Sequence, residues 1–164
     1  GTYPLPEAQL DRFLLKILVD APSLEEECEI VRRTTSGRPG DALDVGAVSQ
    51  VASIDEVLEL QRAASSVLVV ERVREYAVRV VRETRAWNGV ALGAGPRGSI
   101  ALIRVARARA LLDGRAFVTP DDVKRIAPPV LRHRLTLAPE LELEGVDADS
   151  VLAAVLKKVE APRE

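Results

Sequence analysis

Two arginines in this sequence stand where a cation could meet a phosphate. Arg12 lies in Leu10-Asp11-Arg12-Phe13, and Arg97 lies in Gly95-Pro96-Arg97-Gly98-Ser99. A guanidinium is always charged, and its planar fork can hold two oxygens at once. Arg104 follows Arg97 by two helical turns on nearly the same face, so it could support that site. Composition alone would make each of the three a surface ion-pair residue.

Other chemistries find little support. No G-x-x-x-x-G-K-[ST] run is present, so the sequence has no loop whose backbone N–H groups and Lys would cradle phosphates. Gly93, Gly95 and Gly98 resemble a glycine-rich loop, but no Lys follows and no strand leads in. His133 is the only histidine, set between Arg132 and Arg134, and reads as a helix-end residue near the carbonyl dipole. Cys28 is the only cysteine and falls on the apolar face of its helix, so it reads as a small core residue. One His and one Cys do not suggest a metal site, and no nucleophile–base–acid set is visible.

The bulk numbers narrow the partners. Across 164 residues, 47% are hydrophobic and 29% charged, which is a globular balance. Aromatics are only 3%, so the core is expected to be aliphatic. A net charge of −2 and the lack of a basic stripe argue against nucleic acid as a partner. No apolar run approaches the ~20 residues that span a bilayer, so membrane insertion is not expected. A single cysteine allows no internal disulfide, and a reducing cytoplasm is the expected compartment. A chain that starts at Gly1 and contains no Met reads as a piece of a longer translation product.

The elements that would position these residues are mostly helical. Gly1–Pro6 reads as loop, Glu7–Leu15 as a short helix, and Lys16–Asp20 as a strand stopped by Ala21-Pro22. Ser23 with Glu26 and Ser53 with Glu56 are capping boxes, each opening a helix, with a loop over Thr34–Asp44. Val73, Ala77, Val80 and Thr84 mark an amphipathic helix that ends before Gly89. Gly93–Gly98 is a tight loop into a central helix over Ser99–Asp113, closed by Gly114. Thr119-Pro120-Asp121-Asp122 starts another helix, which Pro128-Pro129 should break before a short one to Leu135. Leu137–Glu144 alternates like a small strand or arm, and Asp149–Val159 is a last amphipathic helix.

The stretch from Gly1 to Phe13 resembles the segment after the sensor-1 strand of MoxR family AAA+ ATPases. Gly95–Ser99, Ala106–Gly114, Val118–Val123 and Pro129–Leu135 resemble further segments of that family, in order and with natural spacing. Magnesium-chelatase and replicative-helicase relatives share the Asp-Arg-Phe and Pro-Arg elements but match the rest less well. The family usually has Ser where Gly95 stands, which changes the loop's flexibility and leaves the Arg.

The resemblance implies a mainly α fold, a helical AAA+ lid bundle preceded by a short helix and one strand left over from a truncated α/β core. Residues 1–22 would be the edge of the ATPase core, and residues 23–164 the lid. Arg12 would be the arginine finger acting in trans, Arg97 the sensor-2 residue, and Arg104 a possible support. The full-length protein would use ATP and Mg, form a homo-oligomeric ring, expected to be a hexamer, and remodel or mature client complexes. This chain would hold no cofactor and hydrolyse nothing by itself. The competing readings are a free-standing helical interaction domain and the lid of a magnesium-chelatase-like or helicase-like motor.

Overall fold

The central helix packs by means of small residues. In the computed structural model, which describes residues 5–36, 46 and 48–162, Ala101, Ala106 and Ala110 of that helix are buried. Small contact residues let neighbouring helices approach at the short end of the usual 8–10 Å range. The described chain divides into two units, residues 1–17 with 59–164, and residues 18–58.

The larger unit begins with α1 (Glu7–Leu10), one turn rather than the longer helix expected to Leu15. The expected strand at Lys16–Asp20 is a correction: the segment carries no strand assignment. A strand needs a ladder, and no strand pairs with it among the described residues. Its one backbone tie to another element is the Lys16 N–H donating to the Pro129 carbonyl at 2.8 Å.

The smaller unit holds α2 (Leu24–Thr35) and the start of α3 (Ile54–Ser66). Both expected capping pairs form. Ser23 Oγ accepts from the Glu26 N–H at 3.3 Å, while Glu26 Oε2 accepts from the Ser23 N–H at 2.8 Å. Ser53 and Glu56 repeat the arrangement at 3.2 and 2.7 Å. Neither helix buries a residue. Cys28 is therefore exposed, not the core residue that its position on the apolar face suggested. The rest of the loop expected from Thr34, residues 37–44, lies outside the described residues, as do residues 1–4.

The bundle itself is built from α4 (Glu71–Ala86), α5 (Pro96–Leu112), α6 (Pro120–Leu131) and α8 (Ala148–Lys158). Tyr76, Val80 and Val81 of α4, Leu102 of α5, Val123, Val130 and Leu131 of α6, and Leu152 and Val155 of α8 are fully buried and form one cluster. The core is aliphatic, as the composition requires, with Tyr76 its one fully buried aromatic among the described residues. Between α4 and α5 lies β1 (Val90–Leu92), which pairs antiparallel with β2 (Thr136–Leu137). A single helical turn, α7 (Pro139–Leu143), follows β2, so the expected arm over Leu137–Glu144 is part strand and part helix.

Pro128 and Pro129 do not break α6, contrary to expectation. A proline in a helix interior costs about 3 kcal/mol, by removing a donor and crowding the preceding turn. Here the carbonyls that lose donors belong to Lys124 and Arg125, neither of them buried. Continuing the helix buries Val130 and Leu131 completely, and each such burial contributes roughly 1.5–3 kcal/mol. The chain then tightens into a 3-10 turn over Arg132–Arg134.

Gly114, at φ 71°, ends α5 and turns the chain toward α6. Arg115 follows and grips Asp122 through two parallel bonds of 2.7 and 2.6 Å. Asp122 also accepts the Thr119 N–H at 2.7 Å, closing a capping box at the start of α6. Burial pushes the Asp122 carboxyl up, but Arg115 and Thr119 outweigh it and hold the carboxyl below its ordinary value.

The packing predicts a contrast within one helix. Leu102→Ala removes a fully buried side chain and should cost about 2–5 kcal/mol. Leu112→Ala, at a residue 82% exposed, should stay within about 0.5 kcal/mol. Urea denaturation of the two variants, read at constant m-value, checks the direction and the gap.

Candidate functional site

The entry into α5 is held from beneath. Thr84, buried on α4, donates Oγ1–H to the Val81 carbonyl at 2.7 Å and accepts the Ala94 N–H at 3.1 Å. Gly93 lies so close to α4 that a Cβ there would sit 2.6 Å from the backbone N of Arg85. Only glycine fits that approach without a backbone shift. Gly95 is the N-cap residue and has no side chain with which to cap the helix. Pro96 takes the first helical position, where its missing N–H costs nothing.

Arg97 follows at the exposed first turn. That turn contains no acidic residue, so the positive end of the helix dipole faces outward beside a cation. The expected helix start at Ser99 moves back to Pro96, which brings Arg97 into the first turn instead of the preceding loop. Arg104 is exposed further along α5. No side-chain hydrogen bond or ion pair forms at Arg97 or Arg104 among the described residues.

Arg12 is also exposed and carries no side-chain bond among the described residues. Its neighbours are tightly held. Arg134, with a side chain 2% exposed, donates Nε–H to Asp11 Oδ1 at 3.0 Å. Its Nη2 donates to the Asp11 carbonyl at 3.2 Å and to the Phe13 carbonyl at 2.7 Å, and its Nη1 donates to the Val130 carbonyl. The Phe13 carbonyl also accepts from His133 Nε2 at 3.0 Å. Arg132 reaches the Lys16 carbonyl at 3.3 Å and pairs with Asp149 on α8 at 2.9 Å. Thr136 donates to Glu7 at 2.8 Å.

The tripeptide after α6 thus clasps residues 11–16. A cleft of about 550 Å³ lies in this region, bordered by Asp11, Lys16, Gly93, Gly95, Arg132 and His133. Arg132 and Arg134 are legible only as part of a family resemblance, and His133 only as a helix-end residue. A run of two arginines and a histidine beside two prolines gave no sign that all three side chains turn onto one distant segment.

His133 donates from Nε2, which leaves Nδ1 bare, and Nδ1 is buried without a partner. Burial pushes the imidazole below its ordinary value; the Phe13 carbonyl and Asp11 oppose this, while Arg134 and Lys16 add to it.

A metal ion has no candidate home here. Among the described residues, no group of three His, Cys, Asp or Glu side chains is placed to hold one. What these residues can supply to a phosphate-bearing ligand is positive charge.

Comparison with known proteins settles the kinship. The AAA lid domain family matches residues 82–155. The chain is 40% identical over 162 residues to the uncharacterized protein YeaC of Bacillus subtilis, covering 99% of this chain and 49% of that protein. It is 40% identical over 174 residues to the chaperone MoxR1 of Mycobacterium tuberculosis, covering 99% of this chain and 44% of that one. A crystal structure from Cytophaga hutchinsonii, provisionally named an ATPase, superposes with a TM-score of 0.84 at 33% identity, over 99% of this chain and 51% of its own. The chain belongs to the MoxR-type AAA+ ATPases. It spans about half the length of the curated relatives it matches. The helical bundle around α4, α5, α6 and α8 is the MoxR lid. The magnesium-chelatase 38 kDa subunit of Acidiphilium rubrum is also similar, at 32% identity over 94% of this chain.

Two outcomes follow from this geometry. Gly93→Ala should destabilise the lid by about 1–3 kcal/mol through overpacking. Gly95→Ser, which restores the family's usual residue where a Cβ meets nothing within 4 Å, should add a few tenths of a kcal/mol as a cap. Thermal unfolding of both variants tests the pair.

The second outcome concerns pH. A histidine whose folded pKa lies below its unfolded value of 6.5 takes up protons more readily in the unfolded chain. Its contribution to stability is intact above pH 6.5, falls as pH drops below it, and levels off beneath the folded pKa. His133 is the only histidine, so the slope between pH 7.5 and 5.5 should become shallower in His133→Gln. An unchanged slope in that variant overturns the assignment.

Proposed function

We propose that this chain supplies the arginine finger and the lid of a ring-forming MoxR-type ATPase. In this reading residues 1–22 are the edge of the ATPase core and residues 23–164 the lid. Arg12 reaches the nucleotide of the neighbouring subunit. Arg97 is the sensor-2 residue at the lid's own interface with nucleotide, and Arg104 supports it from two turns along the helix. ATP and Mg are held mainly by the other half of the protein, and the ring is a cytoplasmic homo-hexamer. No helix among the described residues is long and apolar enough to cross a membrane.

The observation that carries this reading is the contrast at residues 11–13. The backbone on both sides of Arg12 is pinned, while its guanidinium is exposed and has no partner among the described residues. A held backbone bearing an unpaired cation is a group arranged in advance for an anion. Phosphoryl transfer spreads charge over the equatorial oxygens, and a fixed cation stabilises that charge without reorganising at the moment of reaction. Supplying the cation across an interface makes hydrolysis depend on ring assembly. The lid, moving with nucleotide state, would pass the work to a client complex as a chaperone-like remodelling step. Similarity to the magnesium-chelatase subunit supports the same lid role in a related motor as a second reading.

The test uses the full-length ATPase. Arg12→Ala should leave ATP affinity nearly intact and lower hydrolysis by about 10³–10⁵-fold. Arg12→Lys should rescue it only in part, because a point charge lacks the planar fork. Subunits with Arg12→Ala, mixed with subunits lacking the phosphate-loop Lys, should regain partial activity, since some interfaces then join an intact loop to an intact finger. Mixed rings that form and remain dead overturn the trans role. The chain alone, without a phosphate loop, should show no micromolar ATP binding by calorimetry.

A further inference from the structure

We infer that Arg134 is the positioning residue for Arg12, fixing the finger segment against the lid helix that carries Arg97. The inference rests on the reading of Arg12 as the finger. A guanidinium has five donors in one plane, and Arg134 directs them at acceptors on both sides of residue 12. The carbonyls of Asp11 and Phe13 and the Asp11 carboxylate are all on its face, and His133 adds a second donor to the Phe13 carbonyl. The N–H groups of Arg12 and Phe13 are taken by Gln9 and Leu10 carbonyls, both at 3.1 Å. The peptide units on either side of Arg12 are therefore anchored, while its own side chain makes no bond among the described residues.

The same side chain lies close to the other motif. A Cβ placed on Gly98 would lie 3.7 Å from Cδ of Arg134 and 3.0 Å from Leu131. Gly98 directly follows Arg97 in the first turn of α5. The stem of Arg134 thus packs under the turn that presents Arg97, and its head holds the segment that presents Arg12. Movement of that turn would be felt at the finger, so one subunit's lid would set how its finger meets the neighbour.

Lysine cannot replace this group. A point charge could keep the pair with Asp11, but it could not also hold two carbonyls in one plane. A cation misplaced by about 1 Å can cost on the order of 10²-fold in rate. In the full-length ATPase, Arg134→Lys should therefore lower kcat by about 10–100-fold and leave the ATP Kd within about threefold. Turnover of the double variant Arg12→Ala/Arg134→Lys should equal that of Arg12→Ala alone, because the two act as one unit. Arg134→Lys subunits mixed with subunits lacking the phosphate-loop Lys should regain activity, as Arg12→Ala subunits do. Should Arg134→Lys fail to fold, Asp11→Asn serves instead, with a smaller loss of kcat and the same non-additivity. Full activity in a folded Arg134→Lys beside a dead Arg12→Ala overturns this inference alone. So does an additive double variant, or a loss of ATP affinity that parallels the loss of rate. An active Arg12→Ala overturns the finger reading, and this inference with it.

Discussion

A buried guanidinium must be met on every side, and the arrangement around Arg134 follows from that demand. An ion taken out of water loses several kcal/mol of hydration, and a protein recovers this only with excellent geometry and full hydrogen bonding. Arg134 obtains both from a carboxylate and three carbonyls. One of those carbonyls belongs to α6 itself, and the others belong to a segment about 120 residues earlier. Satisfying one charge therefore closes the chain on itself. The helix that leads into Arg134 must not stop at its prolines, because Val130 and the turn beyond it set where the guanidinium emerges. Removing a partner from a buried pair commonly costs about 3–5 kcal/mol, because it leaves the other charge unmet.

The α5 entry solves a different problem with the opposite means. Arg97 is exposed, and the loop that leads to it is tightly packed. Thr84 satisfies the Ala94 N–H from inside the core, and Gly93 lets the loop come within contact of α4. Gly95 and Pro96 then begin the helix without a side-chain cap or a donor at the first position. The result is a helix start whose charge field is not cancelled locally, with an arginine standing in it. Arg115 and Asp122 show the contrasting case beyond the far end of α5, in which an arginine is met by a carboxylate through two short bonds and ties the end of α5 to α6.

Most of the helices were legible because their signals are local. Capping boxes at Ser23, Ser53 and Thr119, the glycine after α5 and the spacing of Val73, Ala77, Val80 and Thr84 each act within a few residues. The failures share a non-local cause. Pro128-Pro129 reads as a break until the burial of Val130 and Leu131 is known. Lys16–Asp20 reads as a strand, but alternation states only a preference, and pairing decides the outcome. Cys28 sits on an apolar helix face that its own unit leaves uncovered. In the candidate site, Arg12, Arg97 and Arg104 could be picked out by residue type and motif. The clasp from Arg132 to Arg134 could not, since nothing within ten residues of it names its partners.

That difference carries a physical point about how the two sets of arginines divide their work. A residue that acts on a ligand must be unpaired in its own chain, so it advertises itself by type and exposure. A residue that aims it must be fully paired, so its sequence context looks like ordinary structure. Arg12 shows no side-chain bond among the described residues, while Arg134 uses all three of its nitrogens. His133 fits the same division: with Nε2 committed to Phe13 and Nδ1 buried, it is suited to holding the segment, and protonation would add charge beside Arg134 and Lys16.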